Sequence, residues 1–169
     1  MHEPQIASKP ALTVVGLVAP FISALSPDAT NFKVIGPLWG RFVQRASEVP
    51  HRIGHDMFGV IYALPAAERS HPHEMQYVAA VPVSSAAEIP EGMVAHTVPA
   101  ATFAVFTHRG PIGEIAKTVG EAYRVWLPQS GYQHAGVADV ELYDERFCGG
   151  GDDSQMEYWI SVTPESPGK

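Results

Sequence analysis

Hydrophobic positions recur at steps of three and four in two stretches of the chain. In the first, Ile35, Leu38, Trp39, Phe42, Val43, Ala46 and Val49 share one side, while Arg41, Gln44, Arg45 and Glu48 take the other. That spacing predicts an amphipathic helix, with Gly36-Pro37 near its start and Pro50 at its end. In the second, Ile112, Ile115, Ala116, Val119, Ala122, Tyr123 and Trp126 form the stripe, and Glu114, Lys117, Thr118, Glu121 and Arg124 face water. Gly110-Pro111 opens this helix, and Pro128 and Gly131 close it. Between and around the helices lie β-branched and aromatic runs that predict strands over 12–19, 57–64, 75–83, 93–98, 103–107, 139–147 and 156–162. Proline, glycine and serine clusters at 26–28, 65–72, 84–92 and 149–153 mark the loops.

The order of elements is β-α-β-β followed by β-α-β-β, which reads as an internal duplication over about 11–85 and 92–164 within one domain spanning 1–169. The helix stripes stay in phase when Ile35-Gly36 is set against Ile112-Gly113. Gly59-Val60-Ile61-Tyr62 then falls against Val140-Glu141-Leu142-Tyr143, and Met75-Gln76-Tyr77-Val78 against Met156-Glu157-Tyr158-Trp159. The expected class is α+β: an antiparallel sheet with both helices on one face and a groove between the halves.

Composition narrows the function. The chain has 169 residues, 46% of them hydrophobic and 17% charged, enough to bury a core and too apolar for disorder. Its net charge of −7 argues against direct nucleic-acid binding, which needs a basic face. It favours a neutral or cationic small partner. The single cysteine, Cys148, excludes an intrachain disulfide or a cysteine-based zinc site and points to a cytoplasmic setting. No apolar run is long enough to span a membrane. The apolar stretch 11–25 follows Met1-His2-Glu3-Pro4, which is no basic leader, so it reads as strand and loop. His51 and His55 are broken from one helix by Gly54, and His71 and His73 sit in a proline loop, so no metal is expected. Nucleophile-elbow and phosphate-loop motifs are missing, and Gly149-Gly150-Gly151 reads as a hairpin loop. No cofactor is expected.

Three segments of the second half carry a family likeness. They are Pro99-Ala100-Ala101-Thr102-Phe103-Ala104-Val105-Phe106-Thr107-His108-Arg109-Gly110-Pro111, then Trp126-Leu127-Pro128-Gln129-Ser130-Gly131-Tyr132, then Glu141-Leu142-Tyr143. Over about residues 92–163 the chain resembles the GyrI-like small-molecule-binding family, whose members serve as effector-binding domains of multidrug-responsive transcription regulators and also stand alone. The first half matches that family only in element order and hydrophobic pattern. The resemblance implies a duplicated β-α-β-β fold. It also implies that the carboxylate at Glu141 lies in the ligand pocket as counter-charge to hydrophobic, cationic or aromatic molecules.

By strand alternation alone, Glu141 shares a face with Asp139, Tyr143 and Glu145, and a solvated face is the simple reading. Set in a partly apolar pocket, it would instead lose hydration and its pKa would rise. Tyr62, Tyr77, Tyr143 and Tyr158 are candidate walls of the groove, with Trp126 and Trp39 from the two helix stripes, and each also fits a packing role. His108, in the family stretch, is expected to orient the loop before the second helix. The chain leaves no room for a helix-turn-helix beside the duplication, so it reads as a stand-alone binding module. Two alternatives stay open at this stage. One is a hydrolase of electrophilic cyclopropane-type compounds using the same Glu and Tyr groups; the other is a protein that modulates gyrase. A homodimer through an exposed edge strand is a further option.

Overall fold

A computed structural model describes residues 3–166, so Met1 and His2 of the non-basic start fall outside the described residues. The chain runs β1 (Gln5–Lys9), β2 (Leu12–Ile22), α1 (Asn31–Arg45), β3 (Met57–Tyr62), β4 (Glu74–Pro82), β5 (Val94–Val98), β6 (Ala101–Arg109), α2 (Ile115–Gly120), β7 (Tyr132–Tyr143) and β8 (Gln155–Pro164). Every strand pairing is antiparallel, in one sheet ordered β1-β6-β8-β7-β3-β4-β2-β5. The class is α+β, as the element order predicts.

The two halves meet where β3 pairs with β7, with Val60 opposite Val140. A pseudo-twofold through that pair carries β3 onto β7, β4 onto β8 and β2 onto β6. It sets Ile61 against Glu141. Ile61 pairs with Tyr77 on β4 and Glu141 with Tyr158 on β8, so the two tyrosines are equivalent. Tyr62 matches Leu142 rather than Tyr143, which corrects the sequence alignment of these strands by one residue. A one-residue slip moves a side chain to the opposite face of a sheet.

The sheet curls, and chain connectivity requires it. β1 stands at one edge and β2 lies six strand spacings away, ~29 Å if the sheet were flat. Only Pro10 and Ala11 join them, and that link reaches at most ~11 Å. Pro99 and Ala100 join β5 to β6 under the same constraint. Tyr62 of β3 stacks on His96 of β5 with ring centroids 4.1 Å apart, although two strands lie between them in the sheet. Each half sends its leading strand to the other half: β1 pairs with β6, and β5 with β2.

Both helices cover one face. Leu38 and Phe42 of α1 and Val119 of α2 pack with Val15, Ile61, Tyr77, Phe106, Tyr158 and Ile160 from the sheet. The other face folds on itself around Phe58, Val60, Phe103, Val140 and Trp159, all buried.

Four local differences from the sequence expectation have physical reasons. β1 carries a weak apolar signal because it is an edge strand held by its ladder to β6. α1 begins at Asn31, so Gly36-Pro37 lies inside it. Pro37 lacks an N–H and costs the helix one hydrogen bond there. The second helix is composite: the α-helical turns of α2 pass into a π segment at Glu121–Trp126 and a 3-10 turn at Leu127–Gln129. β7 starts at Tyr132 rather than Asp139, with a bulge between His134 and Asp139, and ends at Tyr143, which leaves Glu145 in the following turn. His108 does orient the loop before α2. Its Nδ1 lies 2.7 Å from Thr118 Oγ1 and its Nε2 lies 3.1 Å from the Pro111 carbonyl.

β2 and β4 approach so closely at Gly16 that a Cβ there would sit 1.9 Å from the Ala79 carbonyl oxygen. Backbone, not a flexible side chain, blocks the space. Gly16→Ala is therefore expected to lower unfolding free energy by ~1–3 kcal/mol, the usual cost of overpacking, measured by denaturant titration.

Candidate ligand groove

The groove opens between α1 and α2, above β3 and β7, in two lobes. The first, about 270 Å³, lies under α2 and beside the segment after β2, against Phe21, Leu25, Met75, Val119, Tyr123 and Asp139. The second, about 380 Å³, lies under α1, against Trp39, Val43, Met57, Ile112, Tyr143 and Phe147. Asn31, Ile35, Ile115 and Glu141 border both. Neither lobe is lined by lysine or arginine among the described residues.

Glu141 sits at the divide and is only 5% exposed. Alternation along β7 turns it, with Asp139 and Tyr143, toward the helices. Its Oε2 accepts hydrogen bonds from Tyr77 (2.5 Å) and Tyr143 (2.7 Å). Trp39 Nε1 donates to the Tyr77 oxygen at 2.8 Å, which fixes that hydroxyl toward the carboxylate. Oε1 takes no donor from the described residues. Burial raises the pKa of Glu141 and the nearby Asp139 charge raises it further, against the two tyrosine hydrogen bonds that lower it. Tyr77 and Tyr143 are held well above their ordinary range, first by burial and then by the Glu141 charge, so both remain donors.

The cluster depends on a missing side chain. Gly59 of β3 stands opposite Glu141, and a Cβ there would lie 2.2 Å from the Tyr77 hydroxyl and 2.7 Å from Glu141 Oε2. Glycine inside a strand marks such a close approach.

Asp139, also 5% exposed, is satisfied differently. Its Oδ2 accepts from Tyr123 (2.5 Å) and Tyr158 (2.7 Å), and its Oδ1 from His134 at 2.9 Å. His134 Nδ1 accepts the Gly136 N–H at 3.0 Å, which leaves the Nε2 proton for Asp139. The bulge in β7 places His134 for this contact. Burial pushes the Tyr158 and Tyr123 hydroxyls up, and the Asp139 charge adds to it.

Of the residues singled out from sequence, Glu141, Tyr77, Tyr143 and Trp39 come together in one hydrogen-bonded cluster. Tyr158 lines the first lobe and donates to Asp139. Tyr62 does not join them: it lies on the other face of the sheet, stacked on His96. Trp126 also stays apart, edge-on to Phe106 at 5.5 Å and stacked on Tyr132 at 6.0 Å, so it closes the end of the π segment rather than lining either lobe. Gly59, Asn31, Asp139 and Tyr123 were not candidates from sequence. Gly59 carried a signal, a glycine within a predicted strand, and Tyr123 was placed on the apolar stripe. Among the described residues no three His, Cys, Asp or Glu side chains converge on a metal position, and no helix is long and apolar enough to cross a membrane.

Comparison with known proteins gives this geometry its context. The sequence matches the family described as GyrI-like small molecule binding domain over residues 2–163. It is 37% identical over 163 residues to Transcriptional regulator BrlR of Pseudomonas aeruginosa, covering 96% of this chain and 56% of that protein. The chain thus spans little more than half of that relative's length. Among solved structures, SAV2435 bound to tetraphenylphosphonium shares the fold with a TM-score of 0.74 at 16% identity, covering 96% of this chain and 94% of that one. EcmrR, solved in an EcmrR–DNA complex, shares it with a TM-score of 0.66 at 14% identity, covering 96% of this chain and 58% of that one.

The raised pKa of Glu141 fixes the sign of a stability effect. A carboxyl that binds its proton more tightly folded than unfolded stabilises the fold fully below its ordinary range, and that contribution is lost as pH rises through the folded value. Glu141→Gln keeps two hydroxyl partners and never ionises. It should raise the Tm of the ligand-free protein by a few degrees at neutral pH, with the gap to wild type closing toward pH 4. Differential scanning calorimetry across pH checks this.

Proposed function

The chain belongs to the GyrI-like small-molecule-binding family, and from that premise we propose that its groove holds a lipophilic organic cation whose charge rests on Glu141. The observation that carries this reading is a buried carboxylate with an open oxygen, between two apolar lobes lined, among the described residues, by no lysine or arginine. Such a charge is costly without a counter-ion, and the incoming cation is that counter-ion. Tyr143 lies edge-on to Trp39 at 5.3 Å and to Phe147 at 4.8 Å, so aromatic walls stand ready for cation–π contact in the second lobe. The tetraphenylphosphonium held by SAV2435, on the same fold, supports this ligand class. The likeness to a transcriptional regulator supports a sensing outcome, in which the bound state is read by a DNA-binding partner or segment.

Calorimetric titration with tetraphenylphosphonium tests the charge. Glu141→Gln is expected to weaken binding by at least about tenfold, the scale of one charge-assisted contact. Because this ligand's charge is independent of pH, wild-type affinity should rise with pH up to the raised pKa of Glu141 and level off above it. Equal affinity in wild type and Glu141→Gln would remove the counter-charge role.

Shape gives a separate test. Gly36 of α1 borders the second lobe, and a Cβ there would meet nothing within 4 Å. Gly36→Leu should leave the helix as stable or more so, since glycine is the poorer helix former. It should weaken tetraphenylphosphonium binding by at least about tenfold as the new side chain fills the lobe. Thermal denaturation and titration of the same variant separate the two effects.

A further inference from the structure

Two acceptors at this groove take no donor from the described residues, and one of them is fully buried. Glu141 Oε1 is one, since both tyrosine hydroxyls go to Oε2. Asn31 Oδ1 is the other: Asn31 is 7% exposed, its Oδ1 is buried without a hydrogen-bond partner, and the residue borders both lobes. An unpaired buried amide oxygen costs free energy that natural folds avoid. Helix capping does not explain it, because the N-cap of α1 is Thr30 rather than Asn31, and Asn31 Oδ1 has no partner. The preceding Thr30 is also occupied, its Oγ1 accepting the Ile22 N–H at 2.8 Å, which ties the start of α1 to the end of β2 and sets Asn31 at the divide between the lobes. The amide torsion of asparagine is broad, so its oxygen turns readily toward a donor arriving in either lobe.

We propose that Asn31 and Glu141 together select cations that carry N–H donors, such as protonated amines and amidinium groups, over cations of equal charge that carry none. The proposal rests on the cation-binding reading above and adds a second recognition element to it. A quaternary ammonium or phosphonium satisfies the charge of Glu141 but leaves both acceptors empty. An aromatic ammonium satisfies the same charge, donates one N–H to Glu141 Oε1 and a second to Asn31 Oδ1, and keeps its ring for the aromatic wall formed by Trp39 and Tyr143. Discrimination of this kind is strong because the penalty falls on the site's own unpaired groups.

The test uses a pair matched in ring and charge, 1-naphthylmethylammonium and 1-naphthylmethyl-trimethylammonium, in which three N–H groups of the first are N–CH3 groups in the second; the Asn31 variants below separate the loss of donors from the added bulk. Titration of the wild-type protein, at a pH where the amine is protonated, should show the ammonium binding at least about tenfold more tightly, the scale of a hydrogen bond to a charged partner. Asn31→Leu, close in size and without an acceptor, should cut that ratio severalfold, leaving only the share held by Glu141 Oε1. Asn31→Asp restores an acceptor and should restore the preference. If wild type binds both cations equally, or favours the trimethyl compound, the selection is overturned while cation binding itself stands. If neither cation binds, or both bind Glu141→Gln as well as wild type, the underlying reading fails instead. A preference undiminished in Asn31→Leu assigns the selection elsewhere and overturns the role of Asn31.

Discussion

A carboxylate held out of water, in a groove lined by no lysine or arginine among the described residues, organises this protein. Glu141 is tolerated because two tyrosine hydroxyls point at one of its oxygens and a tryptophan N–H holds one of those hydroxyls in place. The four members come from three elements: Glu141 and Tyr143 from β7, Tyr77 from β4, Trp39 from α1. The cluster therefore ties the helix of one half to the central strand of the other. The charge remains only partly compensated, which leaves Glu141 at some cost to the fold.

Asp139, two residues away on the same face, shows the contrasting solution. Three donors reach its two oxygens, and it behaves as a structural anchor for Tyr123, Tyr158 and His134. The difference between the two acids lies in their donors rather than in their depth, since both are equally buried. Full satisfaction fixes a group in place, and partial satisfaction leaves it available to a partner.

Much of this was legible in the sequence, and the reasons differ by residue. The helix stripes around Leu38 and Val119 survive because helical periodicity reports which side is buried. Glu141, Tyr143 and Tyr77 were readable because strand alternation and the duplicated order place them near one another. Tyr62 was misplaced because register has a period of two, and aligning the halves one residue off turned it to the groove face. Trp126 was indistinguishable from a wall residue, since apolar periodicity separates buried from exposed but not core from cavity. The exchange of β1 and β5 was invisible because pairing between distant strands leaves no local mark. Gly59 needed the third dimension: its role is to be absent where Tyr77 and Glu141 meet.

That exchange and that glycine together bear on how the molecule is put together. Two identical half-length chains following the same topology would form a domain-swapped pair, each lending its first strand to the other. In such a pair every feature at the axis would occur twice, and an acid at the position of Asp139 on one copy would stand directly opposite an acid at the position of Glu141 on the other. Like charges so placed repel. Joining the halves in one chain lifts that restriction. Here the positions equivalent to Asp139 and Glu141 are Gly59 and Ile61, so one half supplies the acids and the other supplies the room they occupy. The fused architecture permits a lopsided pocket on a symmetric frame, able to receive a guest that has no symmetry of its own.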